Sequence, residues 1–192
     1  MSGIEVVGLV LGAFPLAVSA LEHYREACKT INLMRNFESE WRKSLNDIKD
    51  EQVFFTLNLK VLLLPLVEDD ALDETDLETL LADPESVTWR DIDVDAALGE
   101  RLGSSHARFL EIALELQRLI WQLLTVIGID KPRLQAKLRL VATTFEYRKE
   151  QLKFGLGRAQ REEVLKEIRT NNKKLDRLLE KSDKIQDSSR VP

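Results

Sequence analysis

Two histidines and one cysteine are the side chains that most often mark an active site, and they stand at His23, His106 and Cys28. Neither histidine belongs to the HExxH pattern of zinc enzymes, and the cysteine has no nearby histidine in a recognisable nucleophile pattern. Residues 155–161 read GLGRAQR, but no strand-like segment precedes this GxG, so a dinucleotide-binding fingerprint is not supported. A phosphate-binding P-loop is also absent from the sequence. We therefore predict that the protein is not an enzyme and needs no cofactor.

Acidic side chains are concentrated between Val67 and Gly103, where thirteen Asp and Glu accompany only Arg90 and Arg101. Carboxylate clusters can hold calcium, but the EF-hand spacing with its central glycine and terminal glutamate is missing. We interpret the segment as a solvated acidic connection without a metal site, containing short helices at 73–81 and 91–102. Because it offers few apolar anchors, we expect that it can be shortened with little loss of stability.

The composition is typical of one globular domain. The chain has 192 residues, of which 44% are hydrophobic and 32% charged, and its formal net charge of -5 argues against a nucleic-acid binder. A single cysteine cannot form an internal disulfide, which indicates a reducing compartment such as the cytoplasm. We predict a domain over residues 1–182 and a polar linker over 183–192 that leads toward a further C-terminal region.

Apolar residues recur at intervals of three and four, which predicts an all-α bundle of four to five main helices. Pro15 is expected to kink or end the first helix, and Pro65 to close the second. Trp41, Trp89 and Trp121 are interpreted as packing residues. The predicted long helices are Ser2 to Tyr24, Tyr24 to Leu64, Ser105 to Ile127, and a last region from Pro132 to Lys184 that is broken near Gly155 and Gly157.

The most unusual stretch is GIEVVGLVLGAFPLAVSALEHY at residues 3–24, which has no charged residue between Glu5 and Glu22. Its uncharged run is shorter than the roughly 20 apolar residues of a membrane-spanning helix. A signal peptide usually has a basic start, which this stretch lacks, although residues 18–20 could be cleaved. Two further interpretations stay open: a permanent core helix, or a helix that is buried at rest and inserts into a membrane on activation.

Small residues line one face of this first helix. Gly8 and Gly12 are four residues apart, and Pro15 and Ser19 continue the same face. Helices with such a face can approach a neighbour closely, in lipid or in a protein core. Interior glycines cost about 0.5 to 1 kcal/mol each relative to alanine, so two of them indicate that close packing or rearrangement compensates.

The segments GIEVVGLVLGAFPLAVSALEHYREACKTI (residues 3–31) and LKFGLGRAQREEVLKEIRTNNKKLDRLLE (residues 152–180) carry a family resemblance. The chain resembles the N-terminal helical domains of the fungal HeLo and HeLo-like family, and its fold is similar to the four-helix bundle of mixed-lineage-kinase-domain-like executioner proteins. The resemblance implies a cytoplasmic bundle that self-associates and moves to the plasma membrane in regulated cell death or heterokaryon incompatibility. It also implies a regulatory C-terminal domain or partner protein. The sequence departs from the family pattern at Pro15, because a proline does not suit a straight inserted helix.

With this resemblance, we predict that the first helix is sheltered at rest against residues 37–62 and 109–127. The resemblance implies that Gly3, Gly8 and Gly12 form a glycine zipper, a row of small residues through which helices pack closely. The alternative function is a protein-interaction or signalling adaptor, in which the first helix is a permanent part of the core. The residues predicted to insert into the membrane or pack there are Gly3, Gly8, Leu9, Leu11, Gly12, Phe14 and Pro15.

The final third of the chain is basic, with sixteen Lys and Arg against nine Asp and Glu between Asp130 and Lys184. One interpretation is a solvated helix face with i,i+4 ion pairs. The other is a docking surface for the acidic segment, a partner or an anionic membrane, where each cation contributes about 1 kcal/mol. The predicted docking residues are Lys166, Arg169, Lys173, Lys174 and Arg177.

Overall fold

The computed structural model describes residues 3–29, 38–69, 71–127 and 157–190. Within these ranges the structure contains α-helices and 3₁₀ turns and no β-strand, which confirms the predicted all-α class. The elements are α1 (Gly3–Lys29), α2 (Glu38–Glu68), α3 (Glu74–Ala82), a 3₁₀ turn (Val87–Arg90), α4 (Ile92–Leu102), a 3₁₀ turn (Gly103–Ser105), α5 (His106–Val126) and α6 (Arg158–Arg190).

Four long helices surround one core. α1 packs against α2 and α5, and α6 packs against the same two helices. α5 presents one broad buried face to the core, because its apolar side chains recur every three or four residues. The prediction that the first helix packs against the second and third long helices is therefore confirmed. The buried side chains of α5 are Phe109, Ile112, Ala113, Leu116, Leu119, Ile120, Leu123 and Leu124.

The boundary between the first two helices lies later than predicted. α1 continues to Lys29 and α2 begins at Glu38, whereas the sequence placed the boundary at Tyr24. Residues 22–29 contain no glycine or proline that would end a helix. Glu38 and Glu40 favour the observed start of α2, because carboxylates in a first turn complement the positive end of the helix dipole.

Both prolines lie inside helices, so the prediction that Pro65 closes the second helix was wrong, and of the two outcomes expected at Pro15 an end is contradicted while a kink stays a prediction. α1 runs through Pro15, and α2 continues past Pro65 to Glu68. A proline removes one backbone hydrogen bond, and at Pro65 the carbonyl that loses its partner, that of Val61, accepts instead from Nη2 of Arg101 at 3.1 Å. The helix re-forms at once after Pro65, whose carbonyl accepts from the Asp69 N–H at 3.0 Å.

Aspartates set the boundaries of the two short helices in the acidic segment. Asp73 caps α3 by accepting from the Asp76 N–H at 2.6 Å, and the Asp76 side chain accepts from the Asp73 N–H in return. Asp91 caps α4 by accepting from the Asp93 N–H at 2.8 Å. Both predicted short helices are confirmed, and part of the acidic character of the segment is explained by capping.

The acidic segment is nevertheless more than a surface connection. Six apolar side chains within it are buried, and α4 packs against α1, α2 and α5. The expectation that the segment has few apolar anchors was therefore wrong, and the prediction that it can be shortened with little loss of stability loses its main support. Its buried apolar side chains are Leu72, Leu80, Trp89, Val94, Leu98 and Leu102.

α6 runs to Arg190, so residues 183–190, which were predicted to be linker, continue a helix. Asp183 fixes this part of α6 by accepting from Nη2 of the buried Arg101 at 2.6 Å. Arg101 also donates through Nε to the Leu62 carbonyl at 2.9 Å, which joins α4 to α2 and α6. The predicted helical stretch before Gly157, including the break at Gly155, lies outside the described residues.

Candidate functional site

α1 is the one helix in the described part of the chain whose length and composition suit a membrane span. Its apolar window is Ile4–Glu22, 19 residues with a mean hydropathy of 2.1, and 61% of this window is buried in the bundle. Nineteen helical residues extend roughly 28 Å, close to the ~30 Å hydrocarbon core of a bilayer. A buried core helix of a soluble protein has the same length and composition, so these two properties do not distinguish it from a membrane span. Further evidence comes from the contacts of α1 within the bundle.

The inner face of α1 belongs to the core. The Phe14 ring lies against Phe55 of α2, with centroids 5.7 Å apart and an interplanar angle of 38°. Trp41 of α2 donates through Nε1 to the Leu21 carbonyl at 2.8 Å, which holds the second half of α1 in place. Two predicted insertion residues, Leu11 and Phe14, lie on this inner face and are almost fully buried.

The outer face of α1 reaches solvent at several apolar positions. Leu9 is 43% exposed and Leu16 is 38% exposed, and Pro15 lies beside them. These residues are exposed to water in the resting bundle, although they lie in the uncharged run between Glu5 and Glu22. Of the predicted insertion residues, Leu9 and Pro15 are therefore already accessible, and Gly3 is the first residue of α1.

Gly8 and Gly12 face the acidic segment. A Cβ added at Gly8 would lie 2.8 Å from Cγ of Trp89, and one added at Gly12 would lie 3.1 Å from Cβ of Pro84. The Trp89 ring is buried against α1 and donates through Nε1 to the Asp83 carbonyl at 3.0 Å. The glycine spacing therefore permits a close approach in this structure, and the approaching groups are an indole and a proline ring.

Charged groups of the acidic segment meet the first turn of α1. The Ile4 N–H donates to Oδ1 of Asp95 at 3.0 Å, so a side chain of α4 caps an N–H that has no partner within the helix. A carboxylate there also complements the positive end of the α1 dipole. Arg90 and Glu5 form a longer ion pair, with 3.8 Å between Nε and Oε1.

The predicted docking residues on α6 divide into two groups. Lys166, Lys173 and Arg177 are exposed and share one face, because separations of seven and eleven residues are close to whole helical turns. Lys174 is also exposed, and its Nζ donates to Oδ1 of Asn171 at 3.4 Å. Lys166, Lys173 and Arg177 face solvent together, whereas the pKa of Glu115 on α5 is lowered by the hydrogen bond from Arg118 and then by the charges of Arg118 and Lys174.

Arg169 is engaged within the bundle instead. Its Nε donates to Oε1 of Glu51 at 2.8 Å and its Nη2 to Oδ1 of Asp47 at 3.1 Å, both on α2. The hydrogen bonds to Glu51 and then to Asp47 raise the pKa of Arg169 above its usual value. In this conformation Arg169 joins α6 to α2. The prediction of lipid docking therefore rests on the other four cations.

A polar network between α2 and α6 was missed by sequence reasoning. Asn172 is fully buried, and its Nδ2 donates to the Glu51 carboxylate at 2.9 Å and to the Glu51 carbonyl at 3.0 Å. Asn58 donates to the Asn172 carbonyl at 3.2 Å. The available signal was Asn172 itself, a polar residue in the apolar stripe of the last helix. Such a network fixes the register of two helices, because a shift would leave buried polar groups unpaired.

Comparisons with family models, curated proteins and solved structures give no match for this chain. The resemblance to HeLo and HeLo-like domains therefore stays a prediction from the sequence. What the structure adds is the packing around α1: a core face, an accessible apolar face, and a glycine face covered by Pro84 and Trp89.

Proposed function

We propose that this protein is the membrane-targeting, pore-forming or membrane-disrupting effector domain of a fungal regulated cell-death or heterokaryon-incompatibility protein. The observation that carries the proposal is α1, an apolar helix of near-bilayer length whose outer side is partly open and partly covered by the acidic segment. On activation the domain self-associates, α1 leaves the bundle and enters the plasma membrane. The work is physical rather than catalytic.

For α1 itself, the free energy of moving from the bundle into lipid is close to zero. Lipid hydrocarbon is about as apolar as a protein core, so Val10 and Phe14 keep most of their hydrophobic stabilisation when they move from one to the other. The cost falls on α2 and α5, whose core faces lose their cover. Self-association of the remaining helices offsets that cost by burying these faces against another copy.

The experiment uses Leu9, which is accessible in the folded bundle and lies within the apolar window. Leu9→Glu places a carboxylate where hydrocarbon contact is proposed, at a cost of about 2.5 to 3.5 kcal/mol near a bilayer centre. Leu114→Glu on α5 is the matched control, because Leu114 is 47% exposed and lies outside α1. Leu11→Glu is unsuitable, because Leu11 is buried in the core and the change would unfold the bundle.

Dye release from anionic vesicles is the readout, with circular dichroism and thermal melting as controls for folding. We expect the unmodified chain and Leu114→Glu to release dye, and Leu9→Glu to release at least about tenfold less while melting at a similar temperature. Full release by a folded Leu9→Glu variant would contradict the proposal. Failure of the unmodified chain to release dye from any anionic vesicle would contradict it as well.

The basic face of α6 supplies a second arm of this test. If Lys166, Lys173 and Arg177 attract anionic lipid, binding weakens as salt rises and neutral vesicles bind poorly. Charge reversal of these three residues should weaken binding, whereas Lys60→Glu on the exposed surface of α2 should have a smaller effect. Salt-independent binding would remove the electrostatic part of the proposal.

An adaptor domain is the second candidate, and a specific feature of α2 favours it. An apolar stripe on this helix stays exposed in the described structure, and such stripes often bind protein partners. In that case α1 is permanent core, Leu9→Glu changes nothing at membranes, and Leu57→Glu releases a bound protein partner. The stripe consists of Val53, Phe54, Leu57, Val61 and Leu64.

A further inference from the structure

We propose that residues 83–91, here called the tryptophan clasp, hold α1 in the bundle and must lift before α1 can leave it. The inference rests on the proposed function, since it names the contact that keeps the inserting helix at rest. The clasp joins the end of α3 to the start of α4 and contains the 3₁₀ turn Val87–Arg90.

Three contacts tie the clasp to the glycine face of α1. The Trp89 ring fills the notch left by the missing side chain of Gly8, and Pro84 lies over Gly12 one turn further along. Arg90 reaches Glu5 near the start of the helix. With α2 and α5 on its inner side and the clasp over its glycines, α1 is held from two directions.

The clasp is built to move as a unit, because its hydrogen bonds are local. The Trp89 N–H donates to the Ser86 carbonyl and the Asp91 N–H to the Thr88 carbonyl, both at 3.2 Å. The Trp89 indole bonds to the carbonyl of Asp83, also inside the clasp. Lifting the segment therefore breaks none of these bonds and gives up mainly the apolar contacts and the ion pair with α1.

Hinge points are present at both ends of the clasp. Asp83 is the C-cap of α3 and Asp91 the N-cap of α4, and both have extended backbone angles. Beyond the second hinge, α4 is anchored by Arg101, whose side chain bonds to α2 and to Asp183 of α6. The two flanking helices can therefore stay in place while the clasp swings away.

Electrostatics makes a closed clasp unfavourable at a membrane. Residues 71–105 contain ten acidic and two basic side chains, a net charge of -8 for the segment that flanks and includes the clasp. An anionic bilayer repels such a surface within about a Debye length, ~8 Å at physiological salt. The glycine face of α1 cannot meet lipid while the clasp, which carries Asp83, Glu85 and Asp91, lies over it.

A reversible tether tests the proposal directly. A Cβ at Gly12 would lie 3.1 Å from Cβ of Pro84, close to the roughly 3.5 to 4.5 Å that joins disulfide-linked residues. The variant is Gly12→Cys with Pro84→Cys in a Cys28→Ser background, which removes the single native cysteine. Oxidation should lower dye release from anionic vesicles at least about tenfold, and reduction of the same sample should restore it.

A second variant opens the clasp and uses a readout without membranes. Trp89→Ala empties the Gly8 notch, so hydrogen exchange of the α1 amides should rise at least about tenfold while exchange in α6 stays nearly unchanged. Trp121→Ala on α5 is the control, because it also removes a tryptophan but lies outside the clasp. In Trp121→Ala, hydrogen exchange should not rise selectively in the α1 amides.

The outcomes separate the two proposals. Equal dye release by the oxidised and reduced tether would contradict the clasp proposal but not the membrane function. Unchanged hydrogen exchange of the α1 amides in Trp89→Ala would have the same consequence. Faster α1 exchange in Trp89→Ala, together with no dye release by any variant, would support the clasp and overturn the membrane function.

Discussion

Gly8 is a position where one methyl group should have a large effect on stability. The indole of Trp89 is rigid and buried, so an alanine Cβ at 2.8 Å forces the ring or the helix to shift. We expect Gly8→Ala to lower the free energy of unfolding by about 1 to 3 kcal/mol, as overpacking does elsewhere. Urea denaturation measures this change.

Gly99 provides the matched control for that measurement. It also lies inside a helix, α4, but a Cβ added there meets no atom within 4 Å. Gly99→Ala should raise stability by about 0.5 to 1 kcal/mol, because alanine loses less backbone entropy on folding. Equal effects of the two substitutions would show that the Trp89 contact is not tight.

Arg169 and Lys173 should differ although both are cations on α6. Arg169→Ala leaves the buried Glu51 carboxylate without its cation, and we expect a loss of about 1 to 3 kcal/mol of stability. Lys173→Ala removes an exposed side chain and should change stability by less than ~0.5 kcal/mol. Chemical denaturation of both variants compares them, and equal stability would contradict the structural role of Arg169.

For single residues, the sequence indicated what kind of contact a residue could make better than it indicated which residue would be its partner. The Gly8–Gly12 spacing indicated a close approach, but the approaching Trp89 is far away in the chain. Leu9 and Leu11 could not be separated, because a helix that is apolar on nearly every side does not show which face is buried. Arg169 could not be distinguished from its neighbours, because its partner Glu51 is 118 residues away.

Among the elements, the ends of α3, α4 and α5 were predicted within a residue or two, whereas the end of α1 and both ends of α2 were not. α3 and α4 follow Asp73 and Asp91, whose capping role is visible in the sequence, and both were placed within a residue or two. Pro65 misled the prediction, and the alternative in which Pro15 ends the first helix was also wrong, because packing on both sides of each proline stabilises a continuous helix. Local propensity had no access to that tertiary contribution.

The acidic segment gives a prediction at the scale of elements. Leu80 anchors α3 and is fully buried, whereas Ile92 at the start of α4 is 83% exposed. Leu80→Ala should cost about 2 to 5 kcal/mol of stability, and Ile92→Ala should have almost no effect. Thermal melting or urea denaturation distinguishes them. A stability unaffected by Leu80→Ala would restore the view that this segment is a dispensable connection.

For the whole molecule, periodicity was enough to predict an all-α bundle, and the packing of the N-terminal helix against the second and third long helices was predicted with the help of the family resemblance. It could not predict which segments cover the outer side of α1, since that depends on how residues 71–105 fold back over the bundle. The sequence also left the core helix and the conditional inserter as open alternatives. Burial in a resting bundle is compatible with both, so the distinction depends on behaviour at a membrane.

The depth of Leu9 in a bilayer is the measurement that tests the central claim most directly. An environment-sensitive fluorophore is attached to Leu9→Cys in a Cys28→Ser background, and to Leu114→Cys as the control on α5. On anionic vesicles we predict a blue shift and quenching by lipid-borne quenchers at position 9, with position 114 remaining in water. A vesicle-bound protein whose label at position 9 stays in water would contradict insertion of α1.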